Sequence, residues 1–194
     1  MAQASSKRLA FYGVLSALMF AFLLVETYLL TIAFGSLTPA ILTLPFAVAL
    51  SLFLGKKGMF IGGTMFGCCS FFLAVCIANP VFINPLISIL PRILIGVVAY
   101  FVYALVKTIF KKSQNFLLNE ILPCSIAGAF GILTNTVCTI FMLWVFNSAT
   151  LATVFTTIIS INFIGEVVRA IILVPVYYKI LKRIEGKLWF YVSI

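Results

Sequence analysis

Six apolar segments constrain the fold of this chain more than any other feature of its sequence. A helix needs about 20 apolar residues to cross the hydrocarbon core of a bilayer, and the segments approach or exceed that length. Soluble domains carry about a quarter charged residues, whereas this chain has 9% charged and 64% hydrophobic residues. We therefore expect an all-α polytopic membrane protein with six transmembrane helices. The predicted helices run approximately from Leu9 to Ile32, Pro39 to Leu54, Gly58 to Ala78, Leu90 to Phe110, Ile121 to Phe146 and Thr153 to Leu181.

Apart from Arg92 and Arg169, all of the 13 basic residues lie near the two chain ends or in alternate connections between the predicted helices. If successive helices alternate in direction, these residues share one side of the membrane, and the positive-inside rule places that side and both termini in the cytoplasm. We predict one membrane domain, 1–194, with cytoplasmic tails at 1–8 and 182–194. The rule also explains the net charge of +9 without nucleic acid. The residues concerned are Lys7, Arg8, Lys56, Lys57, Lys107, Lys111, Lys112, Lys179, Lys182, Arg183 and Lys187.

The chain lacks the residues that most enzymatic sites require. It contains no His and no Asp, so neither a Ser/His/Asp relay nor a His-based metal site can form. It also lacks the GxxxxGK[ST] motif that binds nucleotide phosphates. We therefore expect no catalytic residues, no metal site and no cofactor. Uphill transport would then need a partner or an ion gradient.

Arg92 is the main candidate for a functional residue. It follows Pro91 at the start of an apolar run, far from any other basic residue. Ionisable residues within the membrane are costly and usually mark a binding or transport path. A cation beside a helix N-terminus suits a carboxylate or phosphate. The alternative is an Arg that anchors at the lipid headgroups. Asn84 precedes Arg92, and Tyr100 follows it at helical spacing, so both are candidate ligand contacts.

Two further predicted helices carry polar residues at membrane depth. In the fifth, Asn135 forms either an interhelical hydrogen bond or a ligand contact. In the sixth, Asn162, Glu166 and Arg169 share one face at spacings i, i+4 and i+7. Glu166 and Arg169 suit a structural ion pair, and a proton-coupling role for Glu166 is the alternative. Glu26 is expected near the mouth of the site or paired with Arg92.

Small residues form a stripe on the first predicted helix. Gly13, Ala17 and Ala21 recur at i, i+4 and i+8, and such residues let another helix approach closely. The stripe indicates either packing within the bundle or docking on another membrane subunit. A second stripe, with Gly63 and Gly67, lies in the third helix.

Several short motifs, in their order along the chain, give it a family resemblance. They are Leu37-Thr38-Pro39-Ala40-Ile41-Leu42, Leu54-Gly55-Lys56-Lys57-Gly58, Gly62-Gly63-Thr64-Met65-Phe66-Gly67, Asn84-Pro85 through Leu90-Pro91-Arg92, and Gly131-Ile132-Leu133-Thr134-Asn135-Thr136. Over nearly its whole length the chain resembles the substrate-binding S components of energy-coupling factor (ECF) vitamin transporters, and most of all the pantothenate-type branch.

The resemblance implies a vitamin-binding membrane subunit that is not itself an enzyme. It implies a location in a prokaryotic plasma membrane and assembly with a membrane coupling subunit, the T component, and two cytoplasmic ATPases. The stripe of Gly13, Ala17 and Ala21 would match the docking motif of the family, which often has Ala at the first position. Arg92 would take the carboxylate of pantothenate, and Asn135, with Asn84 or Asn162, would take its amide and hydroxyls.

Other functions are compatible with the residues. Folate also carries carboxylates, and riboflavin would gain less from Arg92, so another vitamin is an alternative. A self-sufficient secondary carrier would use Glu166 as its proton site. A lipid-modifying enzyme is disfavoured by the missing His and Asp, and a scaffold would leave Arg92 and Asn135 without ligands.

Overall fold

The computed structural model describes residues 2–30, 41–78, 82–111, 115–146 and 161–192, and every regular element among them is helical. A π-helical turn, Glu26–Leu30, extends α1, and another, Leu117–Ile121, precedes α6. The helices are α1 (Ala2–Val25), α2 (Thr43–Phe53), α3 (Gly55–Cys76), the short α4 (Pro85–Ser88), α5 (Leu90–Ile109), α6 (Leu122–Val145) and α7 (Ile161–Val192).

The predicted all-α, membrane-compatible fold is confirmed. Among the described residues, four helical stretches are long and apolar enough to cross a membrane. They are Ala10–Tyr28, Gly55–Cys76, Pro85–Ile109 and Leu117–Val145. The predicted starts of the second and sixth helices, at Pro39 and Thr153, lie outside the described residues.

Helix ends do not coincide with the ends of the apolar runs. Within the predicted tails the described residues, 2–8 and 182–192, are helical, because α1 begins at Ala2 and α7 continues to Val192. Lys, Arg, Glu and Leu all favour helix, so the helix continues after the hydrophobic run stops. Hydropathy therefore locates the part suited to the bilayer rather than the end of the helix.

The short helix α2 lies at the centre of the bundle. Ten of its eleven residues are buried, and it contacts α1, α3, α5, α6 and α7. Its sequence, TLPFAVALSLF, is apolar or small on every face, which is typical of a helix surrounded by protein. At 1.5 Å per residue it is about 16 Å long, roughly half of a bilayer core. It therefore serves as a core element around which the longer helices pack.

Glycines bring the backbones of α3 and α5 into direct contact. A methyl group placed on Gly63 would lie 2.3 Å from the carbonyl oxygen of Arg92, and one on Gly67 would lie 2.9 Å from Cα of Ile89. On α5, a methyl group on Gly96 would lie 2.3 Å from the carbonyl oxygen of Met59. The Gly63 and Gly67 stripe is thus an internal packing surface, and it holds the turn that carries Arg92.

Glu26, at the end of α1, caps the N-terminus of the central helix α2. Its carboxylate is 3% exposed and accepts hydrogen bonds from the backbone N–H of Leu42, from the backbone N–H of Thr43 at 2.9 Å and from the Thr43 hydroxyl at 2.5 Å. The first N–H groups of a helix have no partner within it, and α2 supplies no capping side chain of its own. Glu26 therefore joins the end of α1 to the start of α2, and the predicted pair with Arg92 does not form.

The other end of the bundle, here called the basic end, is joined by polar side chains of α5, α6 and α7. The hydroxyls of Tyr103 and Tyr178 lie 2.9 Å apart, and Lys107 Nζ donates to Tyr103 at 3.0 Å. Lys182 pairs with Glu120 at 3.2 Å. Burial alone would lower the pKa of Lys182, but Tyr178 and Glu120 favour its charged form and hold that pKa above its usual value.

The packing of α3 on α5 predicts a stability difference between two glycines. Gly63→Ala should lower the free energy of unfolding by about 1–3 kcal/mol, because its methyl group would displace the Arg92 backbone. Gly13→Ala is the matched control, since nothing lies within 4 Å of a methyl group placed there. Thermal unfolding of the detergent-solubilised variants, followed by size-exclusion chromatography, measures the difference. Equal melting temperatures would contradict this packing.

The cap predicts a graded loss of stability. Glu26→Gln should cost about 1–2 kcal/mol, because an uncharged oxygen is a weaker acceptor. Glu26→Ala should cost more, since it leaves buried N–H groups without a partner. Glu185→Gln, at an exposed position on α7, is the control. The same melting assay decides, and a Glu26→Ala variant as stable as Glu185→Gln would show that the cap contributes nothing.

Candidate polar site at the Arg92 end

Arg92 is buried and its charge is not balanced by a neighbouring acid. The residue is 8% exposed, and its Nη1 donates to the carbonyl oxygen of Ile87 at 2.9 Å. The rings of Phe66 and Phe82 lie with their centroids 5.8 and 5.5 Å from the guanidinium carbon. Within the described chain no carboxylate lies within 4.0 Å of it, and its Nε has no hydrogen-bond partner. This environment differs from that of a headgroup-anchoring Arg, which keeps its charge in water.

The segment before Arg92 fixes where its side chain lies. Asn84 Oδ1 accepts from the backbone N–H of Leu86 at 3.0 Å and caps α4. Ser88 is buried, and its hydroxyl donates to the carbonyl oxygen of Phe82. Asn84 therefore has a structural role. It caps the short helix α4, whose Ile87 carbonyl accepts the hydrogen bond from the Arg92 side chain.

Arg92 lies in the first turn of α5, beside a helix N-terminus, as its position after Pro91 predicted. Helix α5 begins at Leu90, with Ile89 as its N-cap residue and no capping side chain. Pro91 occupies the first turn, where its missing N–H removes no helical hydrogen bond. The first hydrogen bond of α5 runs from the Ile93 N–H to the Ile89 carbonyl oxygen at 3.1 Å. The guanidinium and the start of α5 therefore both favour an anion here.

Contacts between helices place Arg92 and Asn135 at a similar depth. A methyl group on Gly131 of α6 would lie 3.4 Å from Ile95 and 3.0 Å from Val48 of α2. Helices α5 and α6 are joined by a short connection and run antiparallel. One turn beyond Gly131 lies Asn135, and one turn before Ile95 lies Arg92. Both belong to the same layer of the bundle.

Two polar atoms of α6 in this layer have no partner. Asn135 Oδ1 and Thr139 Oγ1 are buried and make no hydrogen bond with any described residue. At spacing i, i+4 the two residues share one face of α6. Asn135 Oδ1 therefore does not form the interhelical hydrogen bond that was one of the two expectations. An unsatisfied buried polar atom costs about 1–3 kcal/mol, which a ligand group would relieve.

Helix α7 brings Arg169 to the same layer. Gly128 of α6 faces the Ala170 carbonyl oxygen, 3.0 Å from a methyl group placed on the glycine. The guanidinium of Arg169 folds back toward Gly165, where a methyl group would lie 3.9 Å from its central carbon. This directs it away from the basic end, to about the level of Asn135.

Arg169 interacts electrostatically with two carboxylates but pairs directly with neither. Both Glu26 and Glu166 are near enough to sense its charge. Neither lies within 4.0 Å of it, and its Nε is buried without a partner among the described residues. The expected direct ion pair of Glu166 with Arg169 is therefore absent. The side chain of Asn162 lies outside what the structure describes.

Tyr100 and Tyr103, which follow Arg92 along α5 at roughly helical spacing, lie away from this layer. Tyr100 is two turns further along α5, about 12 Å at 1.5 Å per residue, where it is half-buried against the core and stacks edge-on with Phe101. Tyr103 belongs to the basic end. Helical spacing correctly predicted a shared face, but a shared face extends over several layers of the bundle.

The small-residue stripe of α1 lies on the outside of the bundle. Gly13, Ala17 and Ala21 are all exposed, and nothing lies within 4 Å of a methyl group placed on Gly13. Beside them runs a shallow groove between α1 and α3, lined by residues that include Ser16 and Met65. The stripe is therefore not an internal packing surface of the described chain.

Sequence reasoning assigned no ligand role to two of the residues that line the layer. Thr139 lies at i, i+4 from Asn135 but was not singled out as a contact. Arg169 was interpreted only as a partner of Glu166, because a helical wheel shows which residues share a face but not which way a long side chain folds. The capping role of Glu26 had no local signal, since its partners are 16 and 17 residues away.

Comparison with known proteins adds no family to these observations. No protein-family model matches the sequence, and a search of curated proteins found no significant match. The membrane-compatible helical bundle and its polar layer are thus the findings on which a functional proposal must rest.

Proposed function

We propose that this protein is a membrane-embedded vitamin-binding subunit, the S component of an ECF transporter, and that it takes up a small anionic vitamin, pantothenate. The supporting observation is Arg92, a buried guanidinium with one hydrogen bond, an unpaired Nε and no acid within 4.0 Å among the described residues. A buried charge without a partner is unfavourable. A ligand carboxylate would supply the missing partner.

The aromatic rings beside Arg92 support a permanent role for its charge. Phe66 and Phe82 offer ring faces to the guanidinium, and such contacts contribute about 0.5–2 kcal/mol. They stabilise the cation in the absence of ligand without occupying its hydrogen-bonding edge. The site is thereby preorganised for an anion.

Asn135 and Thr139 support selectivity for a ligand that carries more than a carboxylate. Buried polar groups reject analogues that leave them unpaired. Asn135 Oδ1 requires a donor, and an amide N–H of the ligand would serve. Pantothenate has a carboxylate, an amide and hydroxyls, whereas folate and riboflavin differ in size and in the placement of their polar groups.

The exposed stripe of α1 supports docking on a partner. Small residues on the outside of a membrane helix allow another helix to approach closely. In this proposal the T component docks on Gly13, Ala17 and Ala21, and two cytoplasmic ATPases supply the energy. The complex lies in a prokaryotic plasma membrane, and the basic end faces the cytoplasm in accord with the positive-inside rule.

A second candidate function is a proton-coupled secondary carrier that uses Glu166. Its support is the half-buried position of Glu166 near Arg169. The two functions differ in their requirements. The carrier transports in liposomes without ATPases and depends on a proton gradient, whereas the S component binds ligand alone but transports only with its partners.

Arg92→Ala should weaken pantothenate binding by roughly tenfold to a hundredfold. Hydrogen bonds to charged groups contribute about 1.5–3 kcal/mol, and each 1.4 kcal/mol is about a factor of ten in affinity. Arg92→Lys should retain part of the affinity, since it keeps the charge but loses the planar fork. Equilibrium dialysis of radiolabelled pantothenate with protein purified alone in detergent measures both, with folate and riboflavin as competitors.

Arg183→Ala, an exposed cation on α7 at the basic end, is the control and should bind as the wild type does. Unchanged affinity in Arg92→Ala would remove Arg92 from the site. Binding of a competitor in place of pantothenate would keep the class of protein and change the vitamin.

Ala17→Trp should prevent assembly with the coupling subunit and leave ligand binding intact, because a bulky side chain would block close approach at an exposed position. Co-purification with co-expressed T component and ATPases, together with uptake in whole cells, measures this. Leu18→Trp, at an exposed position about 100° around α1 from Ala17, is the matched control. Normal assembly of Ala17→Trp would show that the stripe is not the docking surface.

A further inference from the structure

Four buried polar atoms without partners lie in three helices of the bundle. They are Arg92 Nε, Asn135 Oδ1, Thr139 Oγ1 and Arg169 Nε, and none has a hydrogen-bond partner within the described chain. Native proteins leave few such atoms, and each calls for an explanation. The helix contacts described above bring all four to one layer. A single ligand is the simplest partner for the whole set.

The order of the helices arranges these atoms in a row. Helix α6 packs against both α5 and α7, whereas α2 lies beside all three. Arg92 and Arg169 therefore stand on either side of the α6 pair, Asn135 and Thr139. Packed helices lie about 8–10 Å apart, and an arginine side chain covers most of such a distance. A ligand bound between the three helices would need to span about this distance to meet all four residues.

The two guanidinium groups lie in opposite electrostatic environments. Among the described residues no acid lies within 4.0 Å of Arg92. Arg169 is within electrostatic range of the carboxyl groups of Glu26 and Glu166, although neither lies within 4.0 Å of it. A ligand carboxylate would meet no competing acid at Arg92, whereas at Arg169 it would compete with two. The Arg169 side of the row suits uncharged groups that both accept and donate hydrogen bonds, as hydroxyls do.

We infer that Arg169 is a second ligand-contacting residue, which recognises the uncharged, hydroxyl-bearing end of a ligand whose carboxylate binds Arg92. This inference rests on the proposed function and extends it to the class of substrate: a carboxylic acid with a central amide and distal hydroxyls. Asn135 then faces the amide N–H. Pantothenate carries these groups in this order along its length.

Three ligands separate the roles of the two arginines. They are pantothenate, pantothenol, in which an alcohol replaces the carboxylate, and an analogue that keeps the carboxylate and amide but lacks both hydroxyls. Arg169→Gln should weaken pantothenate and pantothenol by the same factor, roughly tenfold to a hundredfold, and barely change binding of the analogue. Arg92→Gln should weaken pantothenate and the analogue but not pantothenol. Competition dialysis on purified full-length protein measures all nine affinities, those of the wild type included.

Two further variants protect the test against a folding defect. Arg169→Lys keeps a positive charge within electrostatic range of Glu26 and Glu166, so it should melt like the wild type yet still lose affinity for both hydroxylated ligands. Arg183→Gln, on the same helix at the basic end, should change neither melting nor binding. The ligand-free melting temperature of each variant is measured alongside.

The outcomes distinguish this inference from the proposed function. If the wild-type protein binds pantothenate and both Arg169 variants bind it equally well, the inference fails and the proposed function stands. If Arg169→Gln weakens all three ligands alike, Arg169 is structural and the inference also fails. If the folded wild-type protein binds none of the ligands, the proposed function fails and the inference fails with it.

Discussion

A helix buried on all sides must still satisfy the N–H groups of its first turn, and in this protein a carboxylate from another helix meets that requirement. Glu26 reaches from the π-helical turn at the end of α1 to the start of α2. Because α2 contacts every long helix of the bundle, its position sets theirs. The short length of α2 is the reason its start lies within the bundle, where water cannot serve as the partner.

Close backbone packing then determines where the two arginines of the polar layer lie. Glycines on α3 accept the turn that carries Arg92, and the guanidinium folds back onto the carbonyl of Ile87. On α7, Arg169 folds back over Gly165 toward the same layer. Arg92 and Arg169 reach one layer from different helices and have different surroundings. Arg92 lies beside aromatic rings, whereas Arg169 lies near two acids.

The fold was predictable to the extent that hydrophobic patterning determines it. The helical, membrane-compatible class and the position of most helices follow from the apolar runs. The direct ion pairs of Glu166 with Arg169 and of Glu26 with Arg92 are absent among the described residues for a common reason. Sequence spacing does not fix the partners of such side chains. Arg92 donates to Ile87 and Glu26 accepts from Thr43, contacts that depend on how the chain turns and packs. The exposed position of Gly13, Ala17 and Ala21 likewise depended on which face of α1 meets α3.

The sequence by itself determined that this chain is suited to a lipid bilayer and which of its residues are unfavourable to bury there. Both follow from transfer free energies, which depend on composition and on the length of the apolar runs. It thereby singled out Arg92, Asn135 and Glu166 without any structure. Only the tertiary structure decided which polar atoms are left unpaired. Whether a donor finds an acceptor depends on distances of a few tenths of an ångström between helices remote in sequence, and on which way a flexible side chain folds.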